Sequence, residues 1–303
     1  MSEVEADTID AEDKELIAAP ASFWATIRQA VSGSQAQYDY TQGSIGRAIF
    51  LLSVPMVLEM MMESLFAVAD VFYVAHLGAD AVATVGLTES LLTLVYTVAM
   101  GLSIGASATV ARRIGERDRR GAAHAATQAI CLGIIVAAVI GILGVLLAPG
   151  LLKLLGASSG VIENGTTYTR VMLGGNVVIM MLFLINAVFR GAGDAAIAMR
   201  VLWLANIINI ILAPCLIFGF GPLPHLGLTG AAIATTIGRG IGALYALSKL
   251  LRPGARVSLA GEQLSLDFPL MLRLLKLSSE GAFQVFIGMA SWIGLIRIVS
   301  SFG

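Results

Sequence analysis

From Ser44 onward the chain is a succession of apolar runs, and seven of them reach or exceed the roughly 20 residues that the hydrocarbon core of a bilayer demands. They cover about 44–75, 83–110, 122–148, 164–189, 196–218, 228–251 and 270–299. With 57% hydrophobic and 13% charged residues in 303 and a mean hydropathy of +0.86, this is an all-α polytopic membrane protein rather than a soluble domain. The punctuation agrees: LGAD, RRIGERDRR, APGLLKLLGASSG, FRGAGD, FGPLPHLG and RPGARVSLAGEQLSLD separate the runs. A net charge of −1 leaves no broad basic surface, so nucleic acid is not an expected partner. Cys131 and Cys215 sit in apolar runs without pairing or metal spacing and read as small hydrophobes. The acidic start MSEVEADTIDAEDKE lacks the basic and apolar regions of a cleaved signal, so the first helix is expected to direct insertion.

Charge sorts by connection. Arg112, Arg113, Arg117, Arg119 and Arg120 follow the second run, Arg190 and Arg200 flank the fourth connection, and Lys249, Arg252, Arg256, Arg273 and Lys276 surround the sixth. The odd connections offer Lys153, His76 and His225. By the positive-inside rule the even connections and the N-terminal tail are cytoplasmic, in a cell (inner) membrane, and Asp70 lies in the outer half of helix one. Residues 1–43 form a polar tail, in which Phe23, Trp24, Ile27 and Val31 read either as a short interfacial helix or as a loosely ordered linker.

Helix one carries Glu59, Glu63 and Asp70. At 100° per residue they project at roughly 0°, 40° and 20°, so all three share one face. A charge at the bilayer centre costs at least about 2.5–3.5 kcal/mol, and that face must therefore look onto protein or water. The acids are either neutral or paired structural groups, or an ion- and proton-handling stripe lining a transport cavity. Asp70 is the leading candidate for the second role: a carboxylate away from bulk water can gain and lose a proton during a cycle. Glu63 lies near enough to share the proton, and Tyr73 falls on the same face at about −40°. Met56, Met60, Met61 and Met62 offer soft surface for apolar cations, or ordinary filler.

Two further runs add polar groups. Asn206 and Asn209 stand a turn apart in LANIINIILAPC, as interhelical glue or an ion site. Thr235 and Thr236 lie in GAAIATT, with Arg239 a turn beyond Thr235, where it can counter a helix-one acid or snorkel. Gly101 with Gly105, and Gly238 with Gly242, have the spacing of close helix packing, and Pro55 and Pro214 are kink points. The histidines His76, His124 and His225 are scattered, so no metal centre or catalytic base is expected. No GxxxxGK[ST] pattern occurs, and transport by such a chain would run on an ion gradient without a bound cofactor.

From about Thr41 onward the sequence resembles the multidrug and toxic compound extrusion (MATE) transporters. The resemblance rests on PMVLEMMMESLFAVADVFYVAHLGADAVATVGL, GLSIGASATVARRIGERDRRGA, FRGAGDAAIAM and GPLPHLGLTGAAIATTIGR. It implies twelve helices in two six-helix lobes that rock between outward-open and inward-open states about a central cavity. It also implies export of organic cations and other amphipathic compounds in exchange for H+ or Na+. Asp70 matches the family's helix-one carboxylate, and Asn209 and Thr235 match polar positions of its first-lobe cation site. Glu63 stands where relatives often carry an amide. One departure is plain: the family often has Asp in an NxxxDP motif, and this chain reads NIILAP with Ala213 in that place. H+ coupling is accordingly expected over Na+.

The resemblance divides the chain into a tail at 1–43, a first lobe at 44–255, a linker at 256–269 and the first helix of a second lobe at 270–303. A single lobe does not enclose a two-lobe cavity, so either a longer protein carries the second lobe, which is the expectation, or the lobes assemble as a dimer, which an odd number of helices makes awkward. The coupling set is then Asp70, Glu63, Asn209 and Thr235, and Glu59, Met60, Tyr73, Asn206 and Arg239 are expected to line the cavity. No enzymatic activity is expected. The alternatives are a lipid-linked oligosaccharide flippase, which would show a strongly cationic cavity where this chain has acids, and a non-transporting remnant.

Overall fold

The computed structural model describes residues 27–28, 30–31, 45–220, 224–261 and 265–300. Most of the expected polar tail, Phe23 and Trp24 included, lies outside them, while Ile27, Arg28, Ala30 and Val31 are helical. Among the described residues the long elements are helices: α1 (Ile45–Ala75), α2 (Ala79–Gly115), α3 (Arg119–Leu154), α4 (Ser159–Gly174), α5 (Asn176–Gly191), α6 (Ala195–Phe218), α7 (Gly227–Leu250) and α8 (Phe268–Ser300). Ala48–Ala75, Ala79–Gly115, Arg119–Leu154, Ser159–Gly191 and Ala195–Phe218 are long and apolar enough to cross a membrane. The chain is a multi-pass integral membrane protein. Helix α7 falls outside that group although it has 24 residues, because Arg239, Lys249 and its threonines and glycines dilute its apolar surface.

Several helices run a few residues beyond the expected bounds, α2 from Ala79 to Gly115 among them, and two of the differences have a visible cause. The third run does not stop before Pro149 but continues to Leu154. Proline removes the N–H that would bond four residues back, and here the orphaned Val145 carbonyl accepts a bond from Arg170 Nε at 3.3 Å. The fourth run, expected as one helix over 164–189, is two helices in tandem, capped by Ser158 and broken at Gly174–Gly175. The break has a steric cause. A Cβ on Gly175 would stand 2.9 Å from Thr236 Oγ1 of α7, and Asn176 Nδ2 holds the gap by donating to Leu173 O (2.6 Å) and Ala137 O (3.1 Å).

Helix packing is built on small residues. α6 and α7 make the most extensive contact, followed by α2 with α8, and by α1 with α6. A Cβ on Gly238 would stand 2.7 Å from Ala205 O, and one on Gly101 would stand 2.8 Å from Ala282 Cβ, so both expected glycine pairs mark close approaches. Ala122, Ala126, Ala198 and Ala246 are buried in one core cluster and Ala213, Ala232 and Ala234 in another. Contact between α1 and α2 is slight by comparison, although they are joined by a three-residue turn at His76–Gly78. α1 leans on α6 instead, and a gap remains between it and α2.

Both cysteines are free and half-buried. Apolar side chains such as Ile142, Leu143, Leu146 and Leu147 of α3 face outward, as expected of surface in contact with lipid tails.

Candidate functional site

The gap beside α1 is a cavity of about 250 Å³, lined by residues of α1, α2, α5, α6 and α7. Glu59, Glu63 and Met60 enter it from α1, Met100 from α2, Asn186 and Arg190 from α5, and Arg239 from α7. The periodicity of α1 puts its acids on this side, and each meets a different environment.

Glu59 Oε1 accepts from Arg190 at 2.9 Å, and its other oxygen is buried without a hydrogen-bond partner. Glu63 Oε2 accepts from Asn206 Nδ2 at 2.9 Å, and its Oε1 lies 3.4 Å from the Arg239 guanidinium. Arg239 also donates to Tyr96 Oη at 3.0 Å, and its guanidinium carbon stands 5.6 Å from the centre of the Phe66 ring. Asp70 is about 16 Å further along the axis from Glu59 at 1.5 Å per residue. Its Oδ1 is buried and has no hydrogen-bond partner among the described residues, and it lies within electrostatic reach of Glu89 and Arg239. Asn209 donates to Thr235 Oγ1 at 2.8 Å across the α6–α7 interface, both residues being buried.

The expected residues thus form a polar seam along α1, α6 and α7 rather than one compact centre. Glu59, Glu63, Met60 and Arg239 line the cavity, Asn206 is tied to it through Glu63, and Asp70 and the Asn209–Thr235 pair are not among its lining. Tyr73 packs against the apolar cluster around Val74, Ala213 and Ile217 and is not among the residues lining this cavity. Among the described residues no group of three or more His, Cys, Asp or Glu side chains is placed to hold a metal ion.

Four members of the seam were not singled out from sequence. Glu89 stands in the first third of α2, in VGLTESLLTLVY, and the cost of an acid in such a run is the signal for it. Arg190 was counted as a loop charge, yet its side chain turns inward onto Glu59. Tyr96 and Asn186 carried no sequence signal beyond being polar groups in apolar helices.

The MatE family model matches residues 55–215, just over half of the chain and the part that holds all three α1 acids. The chain belongs to the MatE family. MatE proteins are transporters and not enzymes. A protein named "FAD transporter" from Shewanella oneidensis is 33% identical over 191 residues, 63% of this chain and 42% of that protein. One named "Probable multidrug resistance protein NorM" from Thermotoga maritima is 31% identical over 200 residues, 66% of this chain and 43% of that protein. A solved structure of a MOP superfamily transporter from Pyrococcus furiosus superposes with a TM-score of 0.76 at 29% identity, over 86% of this chain and 56% of that one. The chain therefore spans less than half the length of these two relatives.

Proposed function

We propose that the protein is a secondary active exporter of drugs or toxic metabolites, working by alternating access and coupled to H+ in preference to Na+. The observation that carries this reading is Asp70: a half-buried carboxylate of α1 with one oxygen buried and unpartnered, within electrostatic reach of Glu89 and Arg239. Its unpartnered oxygen can take up a proton, and the group is suited to exchange one as access alternates. Ala213, in place of a carboxylate beside the buried Asn209–Thr235 pair, favours H+ over Na+. In this reading Asp70, Glu63, Asn209 and Thr235 form the coupling set, and residues 44–255 are the first of two lobes. Residues 256–269 then link them, and the N-terminus and basic connections face the cytoplasm of an inner membrane.

Asp70→Asn in the full-length protein is expected to abolish gradient-driven efflux from vesicles while leaving membrane abundance intact. Unchanged efflux would overturn the role of Asp70. Proteoliposomes energised by a pH gradient alone, against a Na+ gradient alone, decide the coupling ion.

The substrates are organic cations or amphipathic compounds in this proposal, since acids of α1 face the cavity. The similarity to a protein named as an FAD transporter favours a second reading, export of a phosphate-bearing dinucleotide. Arg190 and Arg239 are both engaged with α1 carboxylates, which supports the first reading over the second. Efflux of a cationic dye compared with FAD in the same vesicles separates them.

A further inference from the structure

A second cavity lies at the end of the bundle where α5 meets α6 and α7 meets its following loop. It has a volume of about 410 Å³, within the 300–1,000 Å³ typical of small-molecule sites. Arg119 from the start of α3, Arg200 from α6, Lys249 from the end of α7, and Arg252 and Arg256 from the following loop all line it. Asp194 is the single acid among the lining residues. Topology alone requires only that cations gather at this end of the bundle; it does not require four separate segments to aim five of them into one concavity.

Several of these groups are held in place. Arg256 donates to the Ala192 carbonyl at 2.9 Å, which pins the loop across the α5–α6 turn. Arg200 donates to Val31 O at 2.8 Å. Lys249 stands 5.0 Å from the centre of the Tyr245 ring, another lining residue. Asp194 is buried and lies within electrostatic reach of Arg256 and Arg200, so it offsets part of the charge and leaves a cationic excess. Phe189, Ile197 and Val257 supply apolar wall. Planar guanidinium forks match phosphate oxygens two at a time, and basic pockets between helices near a membrane surface suit the headgroups of anionic lipids.

We propose that this pocket binds a phosphate-bearing anion, either the headgroup of an anionic phospholipid or free phosphate. The site is separate from the seam on α1 and does not depend on what is exported.

The test uses the full-length protein in neutral detergent, with thermal stabilisation read against titrated phosphatidylglycerol, phosphatidylcholine and inorganic phosphate. Saturable stabilisation by phosphatidylglycerol but not by phosphate assigns the site to lipid; stabilisation by phosphate, which then competes with phosphatidylglycerol, assigns it to the free anion. Lys249→Gln combined with Arg252→Gln is expected to weaken the effective anion by about 25-fold, roughly fivefold for each cation removed. Arg117→Gln combined with Arg120→Gln removes the same charge from the same end of the bundle but not from the pocket, and is expected to change binding less than about twofold. Equal weakening by both pairs, or no saturable effect of either anion on the parent protein, overturns the proposal. Should the double variant fail to fold, protection of Lys249 from an amine-reactive reagent by the same anions reads the site in the parent protein, and absence of protection counts against it.

Discussion

Glu63 of α1 and Arg239 of α7 meet at 3.4 Å, and the two partners are unequally exposed: the Arg239 side chain is 8% accessible and that of Glu63 45%. The cation is committed to the interior, where Tyr96 and Phe66 also hold it, while the acid keeps an open side toward the cavity. Arg239 thus stands between Glu63, Glu89 and Asp70 as their shared counter-charge. Removing it leaves several acids without compensation, whereas removing one acid leaves the cation with others.

Arg239→Met is therefore expected to destabilise the protein more than Glu63→Gln. Losing one partner of a fully buried pair costs about 3–5 kcal/mol, and the exposed half of Glu63 reduces its share to about 1 kcal/mol. Detergent melts of both variants check the order; a larger loss for Glu63→Gln would show that the acid, not the arginine, anchors the seam.

Glu59 and Arg190 form the other ion pair of the cavity, at 2.9 Å. Glu59→Leu alone strands the arginine and is expected to lower stability by about 1–3 kcal/mol, while Glu59→Leu with Arg190→Leu recovers most of the loss. A double-mutant cycle measures this, and additive losses would mean that the pair does not couple.

Gly238→Ala places a methyl 2.7 Å from the Ala205 carbonyl and 3.2 Å from the backbone nitrogen of Asn209, both on a rigid neighbouring helix. Separation of α6 from α7 at this level also pulls Thr235 from Asn209, so a loss of about 1–3 kcal/mol in stability and a change in cation dependence are expected together. Gly240→Ala, where the nearest atom is 3.8 Å away, serves as the control and is expected to be near neutral.

The start of α8 is tied to α3 by a pH-sensitive contact. Gln128 donates to Ser265 O (2.6 Å) and accepts from Asp267 N (3.0 Å), while Asp267 lies 3.3 Å from His124 Nε2 and caps α8 by accepting from Leu270 N at 3.0 Å. The Leu270 N–H first, and His124 after it, hold the Asp267 carboxyl below its ordinary range. A folded value below the unfolded one adds stability that is complete above about pH 3.9 and is lost as pH falls through the folded value. Relative to its intrinsic rate, hydrogen exchange at the first turn of α8 is expected to quicken in that acid window in the parent protein, and Asp267→Ala, which removes the capping oxygen, is expected to quicken it already at neutral pH. Protection that stays constant across that window would remove Asp267 as the cap.

The helix-one face was legible because 3.6-residue periodicity places Glu59, Glu63 and Asp70 together whatever surrounds them, and the price of lipid exposure turns that face inward. Asn206, Thr235 and Arg239 stood out for the same reason, as polar groups in apolar runs. Glu89 obeyed the same rule and was passed over. Arg190 was not legible: a basic residue at the last turn of a helix looks like a topology signal until its neighbour is known. Nor was the break at Gly174–Gly175, because its cause is Thr236, some sixty residues later on α7.

Length and apolarity of the runs, which depend only on local composition, determined that this is a multi-pass helical membrane protein, and helical periodicity determined which face of α1 carries the acids. Which partner each acid received was decided by the tertiary structure alone. Side-chain pairing across helices depends on the lean of α1 toward α6, which brings Trp203 and Asn206, more than 140 residues away in sequence, onto Leu58 and Glu63. Local sequence contains no record of such distances, so it names the charges but not the order in which they neutralise one another.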